Sequence, residues 1–227
     1  MAVTMTDFAA EREAMVEQQL RRRGITEQII LDAFIEVPRE EFVGAEHASL
    51  AHGDHPLPIE AGQTISQPYI VALMIQAAGI GLRDKVLEVG AGSGYAAAVI
   101  SRIVDKVIAV ERQGQLVEIA RERMRRLGFD NVEIHEGDGS RGWAPEAPYD
   151  GILVAASGSH VPKALIEQVA DGGSIVMPLG EPEAMQELVK VTKKADGTIE
   201  RESLAGVRFV PLIGQEGWKE EPDPHRK

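Results

Sequence analysis

The chain predicts an α/β fold, a doubly wound and mostly parallel sheet, and three observations carry that expectation. Short apolar runs at 85–89, 106–110, 132–134, 150–155 and 174–177 alternate with helical patterns at 95–103, 114–127 and 162–170. Strands separated by helices of this length form βαβ units, with right-handed crossovers. The first run leads directly into a turn carrying Gly90, Gly92 and Gly94, where an open parallel sheet binds its ligand. The last third then changes character. Runs at 187–194 and 198–204 flank Asp196-Gly197, a hairpin dipeptide, and a further strand is expected over 207–212. An antiparallel edge on the parallel sheet follows.

The elements before the sheet read as a helical extension, 1–79. An amphipathic helix is expected over 6–23, stopped by Gly24, and Thr26 is placed to cap a second helix that runs through Ile35 and ends before Pro38. Residues 44–64, with Pro56 and Pro58, are expected to be irregular. Ser66 stands where the N-cap of a third helix belongs, with Pro68 in its first turn and Gly79 at its end. The core is expected over 80–216 and a flexible charged tail over 217–227, all as one compact unit.

Composition narrows the function. The 227 residues carry a formal net charge of −12, which disfavours nucleic acid and anionic membranes as partners. The basic stretch from Arg121 to Arg126 lies on an amphipathic helix with Glu118 and Glu122, a solvated face. The absence of cysteine excludes disulfides and thiolate chemistry. No run approaches the roughly 20 apolar residues of a membrane span, and Glu11, Glu13 and Glu17 interrupt any leader-like pattern. A cytoplasmic protein is expected. His52 and His55 lack a third ligand at a recognisable spacing, so no metal is expected.

The glycine spacing points to the cofactor. A dinucleotide fingerprint needs its third glycine at position 95, and Tyr95 is there. That glycine serves close helix packing beneath a pyrophosphate. S-adenosylmethionine, a nucleoside cofactor without phosphates, has no such need, and Glu88 in the motif strand suits its cationic amino end. Gly90, Ala91, Gly92, Ser93 and Gly94 are therefore the candidate cofactor turn. Glu111, with Arg112 after it, ends the second strand about twenty residues on, where an acid can accept bonds from ribose hydroxyls; an ordinary solvated glutamate is the alternative. Asp138 and Gly139 follow the third strand. Asp138 can receive the adenine amine or close an Asx turn. Ser66 can cap its helix, act on substrate, or do both.

With those residues read, the chain resembles the protein-L-isoaspartate (D-aspartate) O-methyltransferases from about residue 10 to 218. The most specific likeness is the segment Gly62-Gln63-Thr64-Ile65-Ser66-Gln67-Pro68, which other methyltransferases lack; 86–95, 137–143, 149–154, 172–178 and 207–212 are similar to further family motifs. The resemblance implies a class I S-adenosylmethionine-dependent methyltransferase with a seven-stranded Rossmann-like sheet. It implies methylation of the free α-carboxylate of L-isoaspartyl and D-aspartyl residues in damaged proteins and peptides, a repair activity. It makes Ser66 the active-site serine, with Thr64, Ile65, Val210 and Pro211 on the substrate side. A monomer is expected. Glu60 stands where the family often has glycine. A methyltransferase for a small molecule is the alternative, and Tyr95 and Glu88 weigh against a nicotinamide-dependent dehydrogenase.

Overall fold

The computed structural model describes residues 7–220. The N-terminal extension begins with α1 (Phe8–Met15), whose first turn is closed by the Asp7 carboxylate accepting from Ala10 N–H at 3.2 Å. The helix expected over 6–23 continues as a π turn over Val16–Leu20 and a 3-10 turn over Arg21–Arg23; its expected first residue lies outside the described residues. Gly24, at φ 96°, ends it in the left-handed conformation that glycine adopts without a Cβ penalty. Helix α2 (Gln28–Glu36) is preceded by Glu27 rather than by the expected cap Thr26, whose N–H instead donates to Gln76 Oε1 at 3.0 Å.

The stretch expected to be irregular contains 3-10 turns and a small antiparallel pair, β1 (Leu57–Pro58) and β2 (Thr64–Ile65), joined by a turn at Glu60–Gly62. Helix α3 (Pro68–Ala78) follows. The central elements are β3 (Lys85–Val89), α4 (Tyr95–Ser101), β4 (Lys106–Glu111), α5 (Gly114–Leu127), β5 (Val132–Glu136), β6 (Tyr149–Val154), α6 (Lys163–Gln168) and β7 (Val169–Leu179). The C-terminal hairpin is β8 (Gln186–Lys193) and β9 (Ile199–Val207), turned at Asp196-Gly197, where Asp196 accepts from Thr198 N–H at 2.9 Å.

Seven strands form one sheet in the order β5-β4-β3-β6-β7-β8-β9. The first five are parallel; β8 pairs antiparallel with β7, and β9 antiparallel with β8. Strand order reverses beside β3, since the chain proceeds to β4 and β5 on one side and returns to β6 on the other. The crevice beyond the carboxyl ends of β3 and β6 is the ligand position of such a sheet. The strand expected over 207–212 does not form as such. Only Val207 belongs to β9, and residues 208–213 make a strap with isolated bridges alone, Pro211 to Ser157 and Ile213 to Trp218. Pro211 has no N–H to give to a ladder.

Alternation along β3 separates two apolar layers. Val86 joins Val107 and Ala109 in a layer with α3, α4 and α5, while Leu87 and Val89 join Ile108, Val110 and Leu165 of α6 on the other face. Leu20, Ile25, Leu31, Phe34 and Phe42 of the extension belong to the first layer, so extension and sheet share one core. Tyr95 is a main contact between them. It is buried, with ring centroids 6.1 Å from Phe34 and 5.5 Å from Phe42 in edge-on geometry. The residue that breaks the dinucleotide pattern thus seats the extension. Trp218, expected in the tail, donates its indole N–H to Ser157 O at 2.9 Å; residues 221–227 of that tail lie outside the described residues.

Candidate active site

A cavity of about 820 Å³ opens at the carboxyl edge of β3. Its lining joins the turn after β3, the end of β4, the loop entering α3 and the strap after β9. Of the residues singled out in the sequence, Thr64, Ile65, Ser66, Glu88, Gly90, Ala91, Gly92, Ser93, Glu111, Arg112, Gly139, Val210 and Pro211 all line it. Gly94 and Asp138 do not.

The turn is built for close approach. Gly90, Gly92 and Gly94 all have positive φ, and the amide of Gly90 donates to Val110 O at 2.8 Å. Gly94 sits behind the lining, where a Cβ would meet Met124 Cε at 2.9 Å and Ala120 Cβ at 3.3 Å; its smallness lets α5 pack under the turn. Glu111, buried at the end of β4, braces the same turn. One oxygen accepts from Gly92 N–H at 3.0 Å and the other from Gln113 N–H at 2.9 Å. Each carboxylate oxygen keeps a further lone pair for a ligand hydroxyl. Arg112 beside it pairs with Glu220 at 3.2 Å.

Glu88 is a buried acid in the cavity wall. It lies on the inner face of β3 and is 2% exposed, and its Oε2 has no hydrogen-bond partner among the described residues. Burial, and then the charge of Glu111, push its carboxyl well above the usual carboxylate range, opposed by a bond from the Ala97 backbone. A buried acid with one unpartnered oxygen facing a cavity suits a cationic amine, which favours its ionised form. The residues therefore fit S-adenosylmethionine: the lining offers one acid suited to an amine, a second with lone pairs free for hydroxyls, and a glycine turn that admits close approach.

Asp138 takes the role of the Asx-turn alternative. Its Oδ1 accepts from Ser140 N–H at 3.0 Å and from the Ser140 hydroxyl at 2.7 Å, and its Oδ2 accepts from Gln215 N–H at 2.7 Å. The carboxylate ties the loop after β5 to the C-terminal segment, and Gly139 presents the lining at this point. Ser66 is not the helix cap. Gln67 occupies that position, and the Tyr69 N–H is satisfied from a distance by Asp54 at 3.0 Å. The serine sits half-buried at the end of β2, free of capping and on the cavity wall.

Opposite it, the strap is held by two devices that sequence reading missed. Ser157 pairs with it on both sides, donating to Val210 O and accepting from Leu212 N–H, each at 2.8 Å. Gln186, fully buried, accepts from Phe209 N–H at 2.7 Å and donates to Phe209 O and Ser157 Oγ at 3.1 Å. A glutamine at an inward position of a hydrophobic strand was the available signal. The two histidines considered as metal ligands are otherwise engaged: His52 faces Glu11 and Glu40 at 3.1 and 3.2 Å, and His55 faces the Pro56 carbonyl. Among the described residues no cluster of three or more His, Cys, Asp or Glu is placed to hold a metal.

A reversing seven-stranded sheet with an antiparallel edge, a glycine turn with Tyr95 in place of the third dinucleotide glycine and an acid ending the neighbouring strand define a class I S-adenosylmethionine-dependent methyltransferase. Within that class the family model for protein-L-isoaspartate(D-aspartate) O-methyltransferase matches residues 10–217. The chain belongs to this family. It is 52% identical over 213 residues to protein-L-isoaspartate O-methyltransferase 1 of Rhodopseudomonas palustris (strain HaA2), covering 94% of this chain and 87% of that protein. It is 51% identical to protein-L-isoaspartate O-methyltransferase 2 of Pelobacter propionicus over 91% of this chain and 92% of the relative. Among solved structures it is similar to a protein-L-isoaspartate O-methyltransferase with TM-score 0.82 at 32% identity, covering 90% of this chain and 66% of the longer one. A Plasmodium falciparum structure in complex with S-adenosyl-L-homocysteine matches with TM-score 0.76 at 27% identity, covering 89% and 98%.

Proposed function

We propose that this enzyme transfers a methyl group from S-adenosylmethionine to the free α-carboxylate of L-isoaspartyl and D-aspartyl residues in damaged proteins and peptides. One observation carries the reading: a single cavity joins the cofactor turn to the Thr64–Ser66 segment, whose serine is released from capping, and to the strap at Val210-Pro211. The family membership supports the same substrate. No helix of the described residues is long and apolar enough to cross a membrane. The reading is of a repair enzyme.

When bound, the cofactor supplies an electrophilic sulfonium methyl that a carboxylate oxygen can take. The substrate carboxylate is ionised at neutral pH, its ordinary pKa being about 4, so no general base is required. What the chain contributes is alignment and exclusion of water. Ser66 donates a hydrogen bond that orients the carboxylate, with Thr64 and Ile65 shaping the wall beside it. The Val210-Pro211 strap reads the peptide backbone, in which an isoaspartyl link adds one methylene. Recognition through backbone tolerates varied neighbouring side chains.

The test is methyl transfer from labelled cofactor to a matched peptide pair. The reading expects base-labile label on the isoaspartyl peptide and none on its aspartyl twin. Equal labelling of both, or label only on a small molecule, defeats it.

A further inference from the structure

The Glu60–Gly62 turn lies over the cofactor turn and carries the chain into Thr64, Ile65 and Ser66. A side chain on Gly92 would meet Ile59 Cδ1 at 3.5 Å, so the two turns are in near contact. The upper turn is strained: Ala61 has φ 54° and ψ 25°, a left-handed conformation that an L-residue keeps only where its surroundings hold it. Glu60 is bound from α5 by Arg123. The Arg123 Nη2 donates to Glu60 Oε1 at 2.8 Å, and Nη1 lies 3.4 Å from both Glu60 Oε2 and the Ser93 carbonyl. Arg123 is 9% exposed, a guanidinium on the face of α5 that buries Leu116, Val117, Ala120 and Met124. Its contacts reach two walls of the cavity at once: the approach to Ser66 and the carbonyl between Gly92 and Gly94.

From this geometry we infer that the Glu60–Arg123 ion pair is a positioning clamp that fixes the Ser66 segment in register with the cofactor turn. This rests on the reading of the cleft as the peptide site. It also gives a reason for an acid where the family often has glycine. The carboxylate at position 60 ties down a turn whose next residue, Ala61, is left-handed. Neither residue is catalytic; the clamp acts through the placement of Thr64 and Ser66.

The test compares the wild type with Glu60→Gln, Arg123→Met and the double variant. Three readouts are taken: kcat and KM on an isoaspartyl peptide at saturating cofactor, calorimetric affinity for S-adenosyl-L-homocysteine, and backbone hydrogen exchange of residues 59–66. Glu60→Gln is isosteric and partly exposed, so it tests the clamp without endangering the fold. Each single change is expected to raise the peptide KM about tenfold with kcat within about twofold, to weaken S-adenosyl-L-homocysteine about threefold, and to speed exchange in 59–66. The double variant is expected to be no worse than Arg123→Met, because both changes remove the same interaction. Unchanged exchange, an unchanged KM, or losses that multiply in the double variant overturn the clamp. Should the wild type leave the peptide unmethylated, the functional reading fails separately. Exchange and cofactor affinity then decide the clamp by themselves.

Discussion

Replacing Gln186 by leucine tests how the peptide wall is held. Leucine has nearly the same volume, so no cavity opens and the effect is that of the lost amide. Gln186 is 1% exposed and closes a ring on Phe209, taking its N–H at 2.7 Å and giving to its carbonyl at 3.1 Å, with a third bond to the fully buried Ser157 hydroxyl at 3.1 Å. It also lies 3.4 Å from the carbonyls of Glu181 and Pro182. A buried polar group left without its partner costs about 1–3 kcal/mol. Phe209 lines the cleft and can recover part of this from water, while Ser157 cannot. Offset by the added apolar burial, the net loss is about 2–4 kcal/mol. For a chain of this size that lowers Tm by about 5–15 °C. The freed strap should also raise KM for an isoaspartyl peptide about tenfold. The cofactor turn and Glu111 are untouched, so S-adenosyl-L-homocysteine should bind within about twofold of wild type. Thermal melting, peptide kinetics and calorimetry measure the three effects. A Tm within about 1 °C of wild type, with unchanged KM, would refute the assignment of Gln186 as the strap's anchor.

Three further outcomes are expected. Ser66→Ala should lower kcat/KM for the isoaspartyl peptide by more than tenfold, a loss above about 1.4 kcal/mol, while leaving the melting temperature in place because the serine caps nothing; near-normal turnover would remove it from the mechanism. Glu88→Gln should flatten two pH profiles. The folded Glu88 carboxyl titrates well above its ordinary 4.5, so the unfolded chain ionises first as pH rises. The cofactor-free wild type therefore keeps this stability below about pH 4.5 and loses it as pH climbs toward the raised value. The cationic cofactor prefers the ionised form, so its affinity should rise over the same window. Parallel Tm curves for wild type and Glu88→Gln would contradict this. Gly139→Ala places a Cβ 2.5 Å from Val89 Cγ1, on a rigid buried strand residue. Overpacking of this kind costs about 1–3 kcal/mol, read as a fall in Tm, and the displaced turn should weaken S-adenosyl-L-homocysteine in calorimetry.

The parts legible in the sequence were those written in local pattern. The apolar runs of β3, β4 and β6 end where their hydrophobicity ends, and the glycine turn and Glu111 follow them directly, so the cofactor wall could be read from consecutive residues. The peptide wall depends on partners far apart in the chain. Asp54 satisfies the start of α3 and so releases Ser66, which local capping rules alone would have kept as a cap. Gln186 and Ser157, not a continuous ladder, shape 208–213, and a run of apolar residues there reads as a strand because periodicity carries no information about its neighbours. Asp138 turned inward to the C-terminal segment for the same reason: Gln215, which engages it, is 77 positions away. The β1–β2 pair is two residues per strand, too short for any pattern to announce. Its effect is to place Glu60 within reach of Arg123.

The central claim is that one cleft aligns a cofactor on the β3 turn with a peptide acid beside Ser66. A crystal structure of the enzyme with S-adenosyl-L-homocysteine and an isoaspartyl peptide tests it most directly. The ribose is expected on Glu111, the amino group on Glu88, the α-carboxylate accepting from the Ser66 hydroxyl, and the peptide backbone along Phe209–Pro211. A peptide bound away from Ser66, or a cofactor that leaves Glu88 without a partner, would contradict it.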